Sequence, residues 1–331
     1  MVLSDASPIR ARVRQSAVIR EDGGLSTLTF HAMGTRCRVC LVEPARATAN
    51  AYLDHLLNWV ADFEANYSRF IDTSLISRIN AAAGQRWVEV DEETDRLLLM
   101  CGQLHFFTRG AFDPTALPLI RLWNWKANPP VVPDANAIDA ARELVGWNKV
   151  QRKTGSVFLP RAGMCLDFGG IGKEYAVDAA VAMAAQHGIE NVLVDFGQDI
   201  RVHGLPPGRP AWHVGLENPK APGSCWGSVA VTDHAVASSG DYLRHFLHQG
   251  RRYGHIIDPR TGYPVNNGCL AVSVVAPSCT MAGILTTTAF ILGPKEGFQL
   301  IHGYHGASGA VITEQGNHIT PRFYEHLVQQ N

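Results

Sequence analysis

Residues 166–178, LDFGGIGKEYAVD, hold the densest set of groups able to do chemistry. Glycines at 169, 170 and 172 let a backbone approach an anion closely, and Lys173 adds a positive charge beside them. A Gly-rich turn opening a helix presents unpaired N–H groups to phosphate-like ligands. The same glycines also suit an ordinary turn between packed elements. The helix is expected to run to Gly188, a natural C-terminal stop. Met164-Cys165-Leu166 before the turn and Asn191–Phe196 after it read as strands, so the unit has βαβ character. It is not a Walker A loop, because Glu174 stands where Ser or Thr is needed. It is not a dinucleotide fingerprint, because Tyr175 takes the third glycine position.

The elements that must position this turn come from a chain of 331 residues, 46% apolar and 18% charged. That is enough for a large core and about two domains or lobes. A net charge of −1 gives no general pull toward nucleic acid or a membrane surface, though it allows a small anion in a local pocket. Seven cysteines, an odd number at irregular spacing, argue against a disulfide framework and suit a reducing compartment. Cys37 and Cys40 form a CxxC within a strand-like run. Residues three apart on a strand face opposite sides, so a structural role is expected over zinc or redox chemistry. No secretory leader is legible and no apolar stretch reaches the length of a membrane helix, so the expected location is cytoplasmic.

In chain order, residues 1–25 read as a polar, poorly ordered tail, with one larger unit over 26–331. Residues 28–42 read as a strand interrupted at Met33-Gly34-Thr35. Residues 46–65 have helical apolar spacing, with Trp59 and Phe63 expected in the core. Asp91 starts a helix to about Thr108. Phe112-Asp113-Pro114-Thr115 opens a stretch rich in Pro and Trp, a candidate lobe connection over 112–135. Thr154-Gly155 turns a strand pair. Later strands include 211–216, 228–231 and 270–275. Ser278 is placed to cap a helix to Leu292, and a further helix follows from Pro294.

Six turns in order carry a resemblance. They are MGT (33–35), FDPT (112–115), DFGGIGKEYAVD (167–178), SSGDY (238–242), HIIDPRTGYP (255–264) and VVAP…LTTTAFILG (274–293). Together they resemble the ApbE family, FAD:protein FMN transferases. The resemblance implies a mixed α/β (α+β), two-lobed fold with FAD bound between the lobes. It also implies transfer of FMN from FAD to a Ser or Thr hydroxyl of a target flavoprotein, with AMP released and Mg²⁺ at the pyrophosphate. Lys173 and the amides of Gly169 and Gly170 would hold phosphate, and Met33, Tyr67, Asp113 and Thr115 would line the nucleotide pocket. Tyr242, His255 and Asp258 would lie near the nucleotide and the transferring phosphate. His255, Asp258 and Lys173 are the catalytic candidates, with His255 deprotonating or orienting the acceptor at a pKa near neutrality. The backbone carbonyl of Gly172 and the Thr287 hydroxyl would face the metal.

One position departs from the pattern. The family reads Ala-Asp-x-Leu-x-Thr where this chain has Ala282-Gly283-Ile284-Leu285-Thr286-Thr287, so a metal carboxylate is missing at Gly283. Asp167, Asp195, Asp199 and Asp258 are candidates to compensate, and Gly283→Asp is expected to restore activity if the missing acid is the cause. Gln198 stands before Asp199 where the family more often has glycine. Two other functions fit the same motifs: a non-catalytic FAD-binding protein of this fold, and an FAD pyrophosphatase with water as acceptor. Ser308-Gly309-Ala310 begins like an acceptor motif, but Val311 has no hydroxyl, so no self-modification is expected there.

Overall fold

The computed structural model describes residues 5–42 and 45–328. Nine strands build the main sheet: β1 Val18–Asp22, β2 Leu25–Ala32, β3 Thr35–Val42, β4 Val192–Phe196, β5 Ile200–His203, β6 Ala235–Gly240, β7 Cys269–Ala276, β8 Ser308–Thr313 and β9 Asn317–Ile319. They lie side by side in chain order, and every ladder in the sheet is antiparallel. Side-chain alternation explains its two buried faces. Val192, Val194, Phe196, Ala235, Ala237, Val272 and Val274 face one core, while Leu193, Val236, Ala271 and Val275 face another.

The first face is covered by α1 (Ser7–Gln15), α2 (Arg46–Tyr67), α4 (Gly172–Gln186), α5 (Cys279–Leu292) and α6 (Pro294–Gly303). The second is covered by a hairpin of Trp212–Glu217 with Cys225–Val231. Between β3 and β4 the chain leaves the sheet and builds a separate core. There α3 (Glu92–Phe107) packs with Leu75, Ile79, Val157, Phe168 and Ile171. The Pro/Trp-rich stretch forms a small core of its own with the strand pair at 245–254. In it Trp123 stacks on Tyr253 with centroids 5.5 Å apart and donates to the Gly262 carbonyl at 2.8 Å. No helix among the described residues is long and apolar enough to cross a membrane.

Several local expectations hold because the side chains supply the caps. Asp91 accepts from the Thr94 N–H at 2.8 Å, and Ser278 accepts from the Met281 N–H. The strand pair turning at Thr154-Gly155 is also present. Three expectations are corrected. Residues 5–25 are ordered, not a loose tail. Val13 is buried, Arg10 and Arg12 bond Asp62 and Glu64 of α2 at 2.6 Å, and β1 pairs with β2. Residues 28–42 are two strands rather than one with a bulge. Ala32 pairs with Thr35, and Met33 and Gly34 have φ of 50° and 70°, as a two-residue hairpin turn with the primed twist requires. Finally, there is no βαβ unit. Asn80 takes both backbone groups of Leu166, accepting its N–H at 2.6 Å and donating to its carbonyl at 2.9 Å. The segment before α4 therefore joins no ladder, and β4 runs antiparallel to β3.

Cys37 and Cys40 do face opposite cores, and burial pushes the Cys37 thiol up to about 12. Their strand pairs with β4, whose turn into β5 is Gly197-Gln198, both at positive φ (71° and 76°). A Cβ on Gly197 would collide with the Thr35 hydroxyl, so glycine is required there. Gln198 carries a left-handed conformation with a full side chain, at a cost of about 1 kcal/mol. Gln198→Gly is therefore expected to stabilise the fold by about that amount, read as an upward shift in the urea midpoint at constant m-value.

Candidate active site

The first turn of α4 gathers the charged groups. Ile171 precedes it and makes no side-chain capping hydrogen bond. Lys173, with 32% of its side chain exposed, pairs with Asp199 at the start of β5, whose side chain is 10% exposed. Burial works against the lysine's charge, but Glu174 and Asp199 outweigh it and raise its pKa, so it stays protonated. Glu174 follows, buried, and its Oε2 atom has no hydrogen-bond partner among the described residues. Burial pushes its carboxyl upward, the Asp199 charge adds to this, and Lys173 opposes it.

Glu174 lies against α5. A Cβ on Gly283 would stand 2.7 Å from Glu174 Cγ and 3.0 Å from its Oε1. Glycine inside a helix costs about 1 kcal/mol relative to alanine, and here the acid side chain leaves room for nothing larger. One turn further along α5, the Thr287 hydroxyl shares a hydrogen bond with Ser239 at 3.0 Å, and Ser239 donates to Thr286 at 2.9 Å. Asp178 fixes the two helices. It accepts from the Cys279 N–H at 2.8 Å, the Thr280 N–H at 2.9 Å and the Thr280 hydroxyl at 2.7 Å, and pairs with Arg201 at 2.8 Å. It thus caps α5 from α4, a positioning role that its place in the motif did not disclose.

The neighbouring turns are linked to this one through the FDPT loop. The Asp167 N–H donates to the Pro114 carbonyl at 2.8 Å, and a Cβ on Gly170 would lie 3.4 Å from the Phe112 ring. On the loop's other side, a Cβ on Gly110 would lie 3.8 Å from Arg260 Cγ, beside the turn that bears Asp258. His255 sits just before that turn. Its ring centroid lies 6.5 Å from that of Trp125, and its Nδ1 is buried without a partner among the described residues. Burial, then the Arg244 charge, lowers its pKa from 6.5 to about 4, not near neutrality as its type suggests. The imidazole is therefore neutral at pH 7.

The sign of that shift sets a stability window. The buried neutral ring contributes fully above pH 6.5, and the contribution is lost as pH falls toward 4, because the unfolded chain takes up the proton first. His255→Gln is expected to flatten the fall in stability between pH 6.5 and 4, checked by urea midpoints across that range.

Other candidates are less available than their motifs suggest. Asp113 accepts from Thr115 N–H (2.8 Å), Thr115 hydroxyl (2.6 Å) and Trp147 N–H (3.0 Å), while Thr115 accepts from Gly146 N–H at 2.7 Å. Their side chains hold the loop together. Tyr67 is interior, its hydroxyl sharing a bond with Thr94 at 2.9 Å. Tyr242 packs against the far-face core and donates to Glu217 at 2.7 Å. Met33 stays partly exposed between the sheet core and the α3 core, its N–H held by Glu64 at 2.8 Å. Gly169 and Gly170 are exposed at the turn. Asp258 is held by Arg260 through two bonds of 2.9 and 2.8 Å.

The four aspartates considered for the missing metal carboxylate all have cationic partners. Asp167 pairs with Arg69 at 3.0 Å, Asp195 with Arg38 at 3.0 Å, Asp258 with Arg260 at 2.8 Å, and Asp199 with Lys173. Among the described residues no three His, Cys, Asp or Glu side chains cluster as a metal set. A hard divalent cation needs less where phosphates accompany it, since one carboxylate with hydroxyl, carbonyl and phosphate oxygens suffices. Glu174 Oε2, buried in the first turn of α4, is a carboxyl oxygen without a partner among the described residues, as such a ligand would be.

Comparison with known proteins agrees with the six turns. The ApbE family profile matches residues 33–312. An FAD:protein FMN transferase from Treponema pallidum (strain Nichols) is 33% identical over 298 residues, 85% of this chain and 82% of that protein. One from Vibrio cholerae is 32% identical, covering 82% of each chain. The crystal structure of an ApbE protein from Thermotoga maritima superposes with a TM-score of 0.82 at 29% identity, covering 92% of this chain and all of that one. The turns at 33, 112, 167, 238, 255 and 274 thus mark one architecture, and the chain belongs to the ApbE family.

Proposed function

We propose that this chain is an FAD:protein FMN transferase, moving FMN from FAD to a Ser or Thr hydroxyl of a target flavoprotein and releasing AMP. The observation that carries the reading is the first turn of α4. A lysine charge and a helix N-terminus whose cap residue makes no side-chain bond meet a buried carboxyl group with an unpartnered oxygen, an arrangement suited to a pyrophosphate bound together with a divalent cation. FAD would lie along the seam between the sheet core and the α3 core. That seam is bordered by Met33, which packs on both, and by the turn at 168–176.

In the transfer, the acceptor oxygen bonds to the flavin-side phosphorus, the bridging P–O bond breaks, and its electron pair leaves with AMP. Lys173 neutralises phosphate charge and keeps its own proton. Neutral His255 accepts a hydrogen bond from the acceptor hydroxyl and takes its proton as the bond forms. A pyrophosphate bound beside His255 would act against the Arg244 charge and raise the imidazole's basicity. Asp258 holds Arg260 at the edge of the same turn. Mg²⁺ held by Thr287 and the Gly172 carbonyl would supply Lewis acidity to the phosphate oxygens.

The test mixes the protein with FAD, Mg²⁺ and a domain carrying an acceptor Thr. Flavin fluorescence on the denatured target, with stoichiometric AMP, supports the reading. FAD binding with no AMP under any divalent metal overturns it in favour of a flavin-binding protein. AMP and free FMN without target labelling makes it a pyrophosphatase.

A further inference from the structure

We propose that Glu174 supplies the carboxylate that the divalent-cation site lacks at Gly283, reaching the same space from α4 instead of from α5. The inference rests on the transferase reading above and adds a ligand that the motif does not name. Three observations carry it. The Glu174 side chain occupies the volume into which a side chain at 283 would project, its Cγ 2.7 Å and its Oε1 3.0 Å from the Cβ position. The acid is buried, 8% exposed, and its Oε2 is without a partner among the described residues. A buried carboxylate oxygen left unsatisfied is costly unless a cation or donor completes it. Third, Asp199 pairs with Lys173, and Asp178 with Arg201 and the start of α5, while Glu174 is the acid of this cluster with a buried carboxylate oxygen that has no partner among the described residues.

The two positions then form one device. Gly283 makes room, and Glu174 fills it with a carboxyl group that a bound cation would hold in its charged form. A carboxylate on α5 and one on α4 are alternatives for the same volume, because both side chains cannot fit as the helices stand. The Thr287 hydroxyl lies one turn from Gly283 on α5, on the side where Ser239 meets it. An acid from either helix would thus share the same hydroxyl neighbour.

The experiment titrates Mn²⁺, as the probe for Mg²⁺, into the full chain saturated with FAD, and follows free Mn²⁺ by electron paramagnetic resonance. FAD binding is measured separately by quenching of flavin fluorescence. Glu174→Gln keeps the shape and removes the charge. It is expected to weaken Mn²⁺ binding roughly tenfold or more while FAD without metal still binds. The exchange variant, Glu174→Gly with Gly283→Asp, is expected to recover Mn²⁺ affinity to within a few-fold, and it guards against the glutamine variant failing to fold. Equal Mn²⁺ affinity in wild type and Glu174→Gln, with FAD bound in both, overturns the role of Glu174 and leaves the transferase reading standing. An exchange variant that folds, binds FAD and remains as weak for Mn²⁺ as Glu174→Gln also overturns it. Absence of FAD binding by the wild type would overturn the transferase reading, and this inference with it.

Discussion

Replacing Lys173 by Met is expected to cut AMP formation by about 100-fold or more while FAD binding falls far less. A preorganised charge aimed at transferring phosphoryl oxygens is worth most in the transition state, where that charge shifts. The substitution also strands Asp199, whose side chain is 10% exposed, beside Glu174. Some loss of stability follows, on the order of 1–3 kcal/mol once the partial exposure of the lysine is discounted. The double change Lys173→Met with Asp199→Asn separates the two effects. It removes both charges, so stability should return while AMP release stays low. If the double variant regains transfer, Lys173 acts only by holding Asp199, and its place in the chemistry is lost.

Gly283→Asp alone is expected to destabilise the protein by about 2–4 kcal/mol instead of restoring a site. The motif by itself suggests the opposite, since it lacks an acid at this position. The structure changes the expectation because the new Cβ would meet Glu174 Cγ at 2.7 Å, in a helix packed on the sheet. A second carboxylate would also lie beside one that burial already disfavours. Overpacking and like-charge repulsion therefore act together. Urea unfolding of the single variant, beside the variant that also carries Glu174→Gly, checks this. A single variant as stable as wild type, with raised transferase activity, would show that the helices part easily and that the steric account is wrong.

Much of this was readable in the sequence where local chemistry decides. Asp91 and Ser278 announce helix starts because their side chains do the capping, and Gly-Pro punctuation marks the turns. The six motifs led to the family because each lies at a bend in the chain whose residues are constrained together. What could not be read depends on partners far away in sequence. The first 25 residues look polar because Arg10, Arg12 and Arg14 point outward from α1, yet they meet Asp62, Glu64 and Asp54 on α2. The apolar run at 164–166 looks like a strand, but Asn80 takes its hydrogen bonds first. Asp113, Thr115 and Tyr67 look like ligand-facing polar residues and are satisfied internally. Glu174 looked like a residue that spoils a nucleotide loop. Only its contact with position 283, more than a hundred residues on, explains both the glutamate and the glycine.

The main sheet, with its strands side by side in chain order, also sets the sequence of events in folding. Neighbouring strands close over gaps of about 30 residues or fewer everywhere except between β3 and β4, where residues 43–191 must be bridged. Loop-closure entropy makes that junction the late one. The turn at 168–176 lies within that bridging segment, and its Lys173 meets Asp199 only 26 residues further along the chain. Met33, at the turn between β2 and β3, meets the α3 core only once that gap is closed, so the seam between the two cores is a reporter of the completed fold.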